Sequence, residues 1–427
     1  MKQYSSYKDS GIEWIGEIPS HWGEISSKRC STLRNDKGHI NEPLLSVTQD
    51  KSLVRRDEND IRVWNPSSDI TGYKLVKEKD FVISLRSFEG GIEFSSIRGL
   101  VSPAYSVFTL TQDYSECSNY FRLLFKSIPF ISELNKYTSG IRQGKNISYE
   151  DFSSIILPLP PLSEQDDIVS YLDDKTTKID ELIQKKLRKI DLLKEYRTSL
   201  INTVVTKGLN PNVPMKDSGI EWIGEIPSHW EVKQIKYISE VVLGKMLTPE
   251  NKGDMTLKPY LRSMNIQNDT LDLSDVNEMW FSKVEMKRLL LKKGDILLNE
   301  GGDVGRTVMW NNELDECYFQ NSVNRIRLLK DNPTYIKYQS ILIHKMGYYD
   351  SIVSRVSIPH LTKEKLEGVK FIVPPISEQE QIVSCIDDKT SQIDKTIDIE
   401  KKKIELLKEY RQSLISNVVT GKIKVTE

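Results

Sequence analysis

The chain has 427 residues, 38% of them hydrophobic and 28% charged, with a formal net charge of −1. That length exceeds one core and points to two or three domains, and the charge balance excludes a histone-like, purely electrostatic DNA binder while permitting basic side chains gathered on one face. No run reaches the roughly 20 apolar residues needed to cross a bilayer, and the opening MKQYSSYKDSGIEW has no signal-peptide core, so a soluble cytoplasmic protein without membrane contact is expected. The four cysteines, Cys30, Cys117, Cys317 and Cys385, stand outside metal-knuckle spacing of one another and read as reduced, mostly buried thiols.

Residues 1–22 form the first segment. Within it, Lys8 to Trp22, KDSGIEWIGEIPSHW, recurs letter for letter at Lys216 to Trp230. Trp14, Ile15, Ile18, Trp22 and their copies are predicted to pack as a hydrophobic clip joining a globular region to a helix. His21 and His229 each lie alone beside a tryptophan, the setting of a hydrogen-bonded packing residue rather than of a ligand or base.

Residues 23–160 form a globular region of mixed pattern. A charged turn leads into a strand at Lys79 to Ser84 (KDFVIS), and further strands are predicted at Tyr105 to Leu110 and Phe152 to Leu157, with a helix at Ser118 to Lys126. Leu85-Arg86-Ser87-Phe88 are four residues that the second half lacks.

Residues 161–207 then read as a long helix. Pro160-Pro161 is followed by Ser163-Glu164-Gln165, with proline outside, a hydroxyl cap and acid in the first turn; Lys207-Gly208 is the stop. The run Ser163 to Thr206 recurs without a gap at Ser377 to Thr420, an offset of 214. Its apolar residues follow a heptad seam: Leu172, Ile179, Leu193 and Leu200 on one row, Ile183, Ile190 and Val204 on the other. The twin supplies Ile386, Ile393, Leu407 and Leu414, with Ile397, Ile404 and Val418. A narrow seam cannot be buried alone, so each helix is expected to pair with its copy; the alternative is that each packs on its own globular neighbour. Lys186 and Glu400 interrupt the seam at equivalent positions with opposite charges, and an antiparallel pair would bring them together.

Residues 208–230 repeat the first segment, residues 231–373 form a second globular region, and residues 374–427 carry the second long helix. The second region keeps the skeleton of the first: Gly294 to Asn299 (GDILLN) matches Lys79 to Ser84, and Glu300-Gly301-Gly302 matches Glu89-Gly90-Gly91. Strands at Val323 to Leu329 and Leu366 to Val373 and a helix at Thr334 to His344 complete it. The chain is thus segment, region, helix, twice over, and its order would be cyclic if the two ends met in space. Two related α+β domains are expected.

Catalytic constellations are missing from this pattern. Gly301-Gly302-Asp303-Val304-Gly305-Arg306 follows a strand but lacks the Gly-Lys-Ser/Thr ending of a phosphate loop and the spacing of a dinucleotide fingerprint. Asp173-Asp174 and Asp387-Asp388 point around their helices rather than converging on a metal. Polar side chains with base-reading geometry are frequent instead. Arg142, Gln143, Lys145 and Asn146 share one loop; Arg262, Ser263, Asn265 and Gln267 follow Pro259-Tyr260; Gln320 and Asn321 stand with Asn324 and Arg325. These residues other than Asn324 and Arg325, together with Arg86, Ser87 and Arg306, form the candidate DNA contacts, since Arg pairs with guanine and Asn or Gln with adenine, while Lys and glycine turns approach phosphates.

The opening KDSGIEWIGEIPSHW with its copy, the Pro-Pro-Leu/Ile-Ser-Glu-Gln helix starts at 160–165 and 374–379, and the Leu-Leu-Lys-Glu-Tyr-Arg runs at 192–197 and 406–411 resemble the specificity subunit of type I restriction-modification systems. The resemblance covers nearly the whole chain. It implies two pseudo-symmetric target-recognition domains, 23–160 and 231–373, joined by two long helices in an antiparallel coiled coil. It implies a non-catalytic subunit in which each domain reads one half of a split, asymmetric duplex DNA target while the helices set the spacing. Two adenine-N6 methyltransferase subunits and restriction subunits would dock on this frame, bringing S-adenosylmethionine, ATP and Mg; this chain would carry no cofactor or metal of its own. The helix-pair or partner interface would include Leu172, Ile179, Ile183, Lys186, Ile190 and Leu193, with Ile393, Ile397, Glu400, Ile404 and Leu407. The competing readings are a coiled-coil protein-interaction scaffold without DNA binding and an autonomous nucleic-acid enzyme. The first would be insensitive to DNA sequence and salt, and the second would act alone.

Overall fold

The computed structural model describes residues 2–49, 52–57, 69–137, 147–251, 253–353 and 359–425. The chain divides into two compact units, Met1–Arg188 with Glu400–Glu427 and Lys189–Ile399. The division cuts across both long helices, so each unit holds one globular domain and a part of each helix.

Both units are built on the same sheet. In unit one the strand order is Ser31–Arg34, Ser106–Leu110, Phe81–Ile83, Glu93–Phe94, all antiparallel. In unit two it is Ser239–Leu243, Val323–Leu328, Ile296–Asn299, Thr307–Met309, again all antiparallel. The turn into the central strand is also duplicated. Asp80 accepts the Lys77 amide at 2.8 Å and pairs with Arg34, while Asp295 accepts the Lys292 amide at 2.7 Å and pairs with Arg327. The turn needs a left-handed residue, supplied by Gly294 (φ +90) in unit two and by Lys79 (φ +67) in unit one.

The cores filling this frame differ. Unit one uses aromatic rings, with Phe81 on Phe108 at 5.3 Å, Phe108 on Phe152 at 4.6 Å and Phe125 on Phe130 at 4.8 Å. Unit two packs aliphatic Ile296, Leu298, Ile326, Ile336, Ile343 and Leu366 around Tyr335 and Tyr349. Cores tolerate such exchange when volume and patterning are kept.

The long helices run Leu162–Lys207 and Ile376–Val419. Their starts differ from the hydroxyl cap expected at Ser163 and Ser377, since both serines are exposed inside the first turn. The glutamines close the turn instead. Gln165 Nε2 donates to the Pro160 carbonyl and Gln379 Nε2 to the Pro374 carbonyl, each at 2.9 Å. Two other boundaries also shift. Phe152 lies in a short helix, Tyr149–Ser153, before the strand Ile156–Leu159, and Leu366 lies in the helix Lys363–Glu367 before the strand Lys370–Val373. Ser148 forms a full capping box with Asp151 in the first of these turns, and in the second the Gly368 amide donates to the Glu364 carbonyl at 3.3 Å.

In each unit the two helix parts are antiparallel. In unit one Arg411 pairs with Asp180 at 3.0 Å and Lys186 with Glu400 at 2.8 Å, so the first helix ascends as the second descends. In unit two the equivalent pair is Arg197 with Asp394, at 3.7 Å. Leu172, Ile179, Ile183, Ile404, Leu414 and Val418 are buried in unit one, and Ile190, Val204, Ile386, Ile393 and Ile397 in unit two; Leu193, Leu200 and Leu407 are half-buried. The helices also pack on the globular domains, so both expected modes of burial occur.

Each domain grips a helix end contributed by the opposite half of the sequence. Tyr120 Oη donates to the Val419 carbonyl at 2.8 Å in unit one, and Tyr335 Oη to the Val205 carbonyl at 3.0 Å in unit two. These carbonyls belong to last-turn residues with no helical partner, so the buried phenols satisfy groups that would otherwise be orphaned. Burial pushes both phenols well above their ordinary range. The repeated segment completes each grip. Trp230 packs on Gly208 and Trp22 on Gly421, and a Cβ on Gly421 would stand 2.3 Å from Pro19. The histidines are tied to the helix starts: His21 contacts Glu164 and His229 contacts Glu378, each at 2.7 Å.

In unit one the first and last described segments meet, since the Lys424 amide donates to the Lys2 carbonyl at 3.0 Å. A circular permutant that joins these segments by a short linker and opens the exposed stretch Leu209–Asn212 is expected to keep the fold. Its thermal midpoint should lie within about 4 °C of the parent, read by circular dichroism; failure to fold would show that the covalent order, not the contact, closes unit one.

Candidate nucleic-acid interface

In unit two the polar residues picked out in sequence converge on one edge, where strand ends of two sheets meet. Three strands, Ser239–Leu243, Met255–Leu261 and Ile296–Asn299, end there, joined by Tyr318–Phe319, and Val323–Leu328 begins there. The loops leaving this edge are stitched together by backbone bonds. The Gln320 amide donates to Leu261 at 2.9 Å, the Asn321 amide to Lys245 at 2.9 Å, and the Glu300 amide to Ser322 at 2.9 Å. Gly244 is required here, because a Cβ would stand 2.2 Å from the Gln320 carbonyl oxygen.

Arg262, Ser263, Gln267, Arg306, Gln320 and Asn321 are all half-buried on this edge. Ser263 N donates to Ser322 Oγ at 3.1 Å, and that hydroxyl donates to Gln320 Oε1 at 3.0 Å. Arg306 Nε donates to Asp303 Oδ2 at 2.5 Å and Nη1 to Gln267 Oε1 at 2.7 Å. Asp303 also accepts from His344 at 3.2 Å. Partial burial opposes ionisation, but the hydrogen bonds from Arg306 and His344 hold its carboxyl below the usual range. Arg262 is folded back, with Nη2 on Asp275 and Nη1 2.9 Å from the Asn277 amide oxygen.

Several expected contacts do not reach this surface. Asn265 is 3% exposed and its amide group is fully used: Oδ1 accepts the Arg262 amide, and Nδ2 donates to the Asp272 and Asp275 carbonyls. Asn324 and Arg325, close in sequence to Gln320 and Asn321 but not among the expected contacts, are buried too, the arginine paired with Glu240 at 2.7 Å and stacked over Phe319. In unit one Arg86 is exposed just beyond the strand Phe81–Ile83, but Ser87 is 1% exposed and its hydroxyl accepts the Ser84 amide at 2.9 Å. Ser87 and Asn265 therefore shape loops rather than read bases. Arg142, Gln143, Lys145 and Asn146 lie outside the described residues.

The edge also contains residues that polarity alone could not single out. Met246, Leu247 and Met264 are 73%, 54% and 66% exposed. Met246 and Leu247 are adjacent and Met264 stands singly between Ser263 and Asn265, a pattern without periodicity.

Among the described residues no group of three His, Cys, Asp or Glu side chains could hold a metal ion, and no helix is long and apolar enough to cross a membrane. The paired aspartates face outward, with Asp173 taking both oxygens to Arg122 and Asp174 pairing with Lys178.

The helix pair carries its own specific contact. Lys186 and Glu400, equivalent by the repeat, meet at 2.8 Å with side chains 18% and 5% exposed, and Lys403 stands 3.5 Å from the same carboxylate. Pairing of one copy with itself, in another molecule, would set lysine against lysine or glutamate against glutamate.

Comparison with known proteins places these features. The family model described as "Type I restriction modification DNA specificity domain" matches residues 45–192 and 227–409. The MjaVIII type I restriction enzyme specificity subunit of Methanocaldococcus jannaschii is 25% identical over 365 residues, covering 82% of this chain and 80% of the relative. The EcoKI specificity subunit of Escherichia coli K12 is 20% identical over 404 residues, covering 87% and 82%. Among solved structures, a chain from a study of type I restriction-modification assembly and conformational transition superposes with a TM-score of 0.69 at 14% identity, covering 95% of this chain and 99% of that one. The HsdS subunit of Thermoanaerobacter tengcongensis gives 0.58 at 15% identity, covering 95% and 98%.

Glu400→Lys is expected to destabilise the intact chain by about 3 kcal/mol in urea unfolding, the low end for breaking a buried pair. Adding Lys186→Glu should restore most of the loss. A double variant no better than the single one would show that the pair contributes nothing to helix pairing.

Proposed function

The chain belongs to the type I restriction-modification DNA specificity family, and from that premise we propose that each globular domain reads one half of a bipartite, asymmetric duplex target. The observation carrying this reading is the contrast within one chain. The sheet, the clip and the helices are duplicated, while the loops at the reading edge are not. A symmetric frame holding dissimilar readers suits a target that is not palindromic, and rigid helices suit half-sites held about a helical turn apart.

In this reading the chain is the non-catalytic member of its complex. Two methyltransferase subunits supply S-adenosylmethionine and adenine-N6 methylation, and restriction subunits supply ATP- and Mg-dependent translocation and cleavage. The free thiols of all four cysteines support a reducing, cytoplasmic setting; burial pushes Cys30 and Cys317 up to about 12.

The helices offer each methyltransferase the same face. Leu192 and Tyr196 are 47% and 56% exposed in unit two, and Leu406 and Tyr410 are 62% and 46% exposed in unit one. Each pair is spaced i, i+4 and stands on one helix face. Identical, exposed apolar side chains at equivalent positions are what two copies of one partner would use.

Replacing residues 231–373 with the reader of another specificity subunit should change one half of the methylated target and leave the other unaltered, read by sequencing methylated sites. A change in both halves would refute modular reading. Leu192→Asp with Tyr196→Ala should leave a complex holding one methyltransferase instead of two, measured by native mass, and the Leu406 and Tyr410 equivalents should do the same; retention of both subunits would exclude this docking face.

A further inference from the structure

We infer that Arg306 is the guanine-reading residue of unit two, its guanidinium held in place by Asp303 and Gln267, so that the half-site read by this unit contains a guanine contacted in the major groove. This inference rests on the specificity reading above and extends it to a base and a side chain.

The backbone at Arg306 is fixed. The loop Glu300–Arg306 connects the strands Ile296–Asn299 and Thr307–Met309, and it is closed by bonds from Asn299 N to Arg306 O at 2.9 Å and from Gly305 N to Asn299 O at 3.0 Å. Gly305 has φ +90 and packs so closely that a Cβ would stand 2.3 Å from the Tyr349 ring. The position next to the arginine is thereby locked to a buried aromatic residue.

The guanidinium is fixed as well. Asp303 takes Nε and Gln267 takes Nη1, and each holder is itself held, Asp303 by His344 and Gln267 by its own amide donation to the Met264 carbonyl at 3.0 Å. Among the described residues no acceptor engages Nη2, and the side chain is 32% exposed. A planar fork with its orientation set and N–H groups left over suits the N7 and O6 acceptors of guanine. A fixed reader loses little conformational freedom on binding.

Other described arginines near this edge are committed elsewhere. Arg262 is turned into Asp275 and Asn277, Arg325 is buried against Glu240, and Arg327 closes the Asp295 turn. Of these four, Arg306 combines a held plane with an Nη2 that no described acceptor engages, whereas the unpartnered Nε of Arg262 and that of Arg325 are buried.

The test is selection from duplexes randomised across both half-sites and the spacer, using the purified complex of this chain with its methyltransferase partner. The parent should enrich a bipartite motif with guanine in the half that exchange of residues 231–373 alters. Arg306→Lys and Arg306→Gln should each lower the preference for that guanine by roughly 5- to 100-fold, leaving the other half-site and the thermal midpoint unchanged. Asp303→Asn, which keeps the arginine and loosens its holder, should weaken the same position less. An Arg306→Lys complex that keeps the motif, with Arg306→Gln weakening all sequences alike and reducing the salt slope, would mean a phosphate contact and overturn the inference. A parent motif unmoved by any variant would also overturn it while leaving the specificity reading intact. Failure of the parent to enrich any bipartite motif would instead bring down that reading and this inference together.

Discussion

The structure depends on an exchange of helix ends. Each globular domain starts one long helix and grips the end of the other, through Tyr120 on the Val419 carbonyl and Tyr335 on the Val205 carbonyl. Neither half of the sequence can therefore satisfy its own helix terminus. A half standing alone would leave a buried phenol without its acceptor and a last-turn carbonyl without its donor, together costing a few kcal/mol. The apolar seam of each helix has the same need, since it is covered in each unit by the antiparallel copy. Duplication is thus a structural requirement of this fold before it is a functional one.

That requirement explains where the two halves were free to diverge. Residues that meet the helices are repeated almost unchanged: the Glu-Gln starts, the His and Trp of the clip, and the glycines at the helix ends. Residues that only fill a domain were free within volume limits, so phenylalanines in unit one stand where unit two uses isoleucine and leucine. Loops at the reading edge were freest. The frame turn at Asp80 and Asp295 marks the boundary between the two regimes, being retained in geometry while its left-handed position is lysine in one unit and glycine in the other.

The same boundary governs what was legible in the sequence. Periodicity and exact repetition revealed the helices, their seam and the clip, and the charge inversion at Lys186 and Glu400 pointed to a contact that the structure contains at 2.8 Å. Reader residues were legible only by type. Type cannot distinguish a polar side chain that faces solvent from one that ties a turn, and for that reason Asn265 and Ser87 looked like contacts although they are buried hydrogen-bond partners. The serine cap failed for a related reason. The double proline already ends the preceding strand, so the helix begins before Ser163, and the glutamine two residues later closes the turn. The carboxylate partners of the arginines are far apart in sequence in most cases, as with Arg325 and Glu240, and no local pattern announces them.

Those carboxylates bear on how a complex of this kind divides its work. At the unit two edge Arg262, Arg306 and Lys245 are paired with Asp275, Asp303 and Glu285. Paired cations attract phosphates weakly, and nonspecific DNA affinity comes almost wholly from that attraction. An edge so neutralised favours discrimination over grip, because a correct base repays the desolvation of a held guanidinium and a wrong one does not. In the proposed complex the charge-driven affinity then falls to the partner subunits, and this chain contributes the differences between sequences. A net charge of −1 on a DNA-reading protein is, on this account, a consequence of that division.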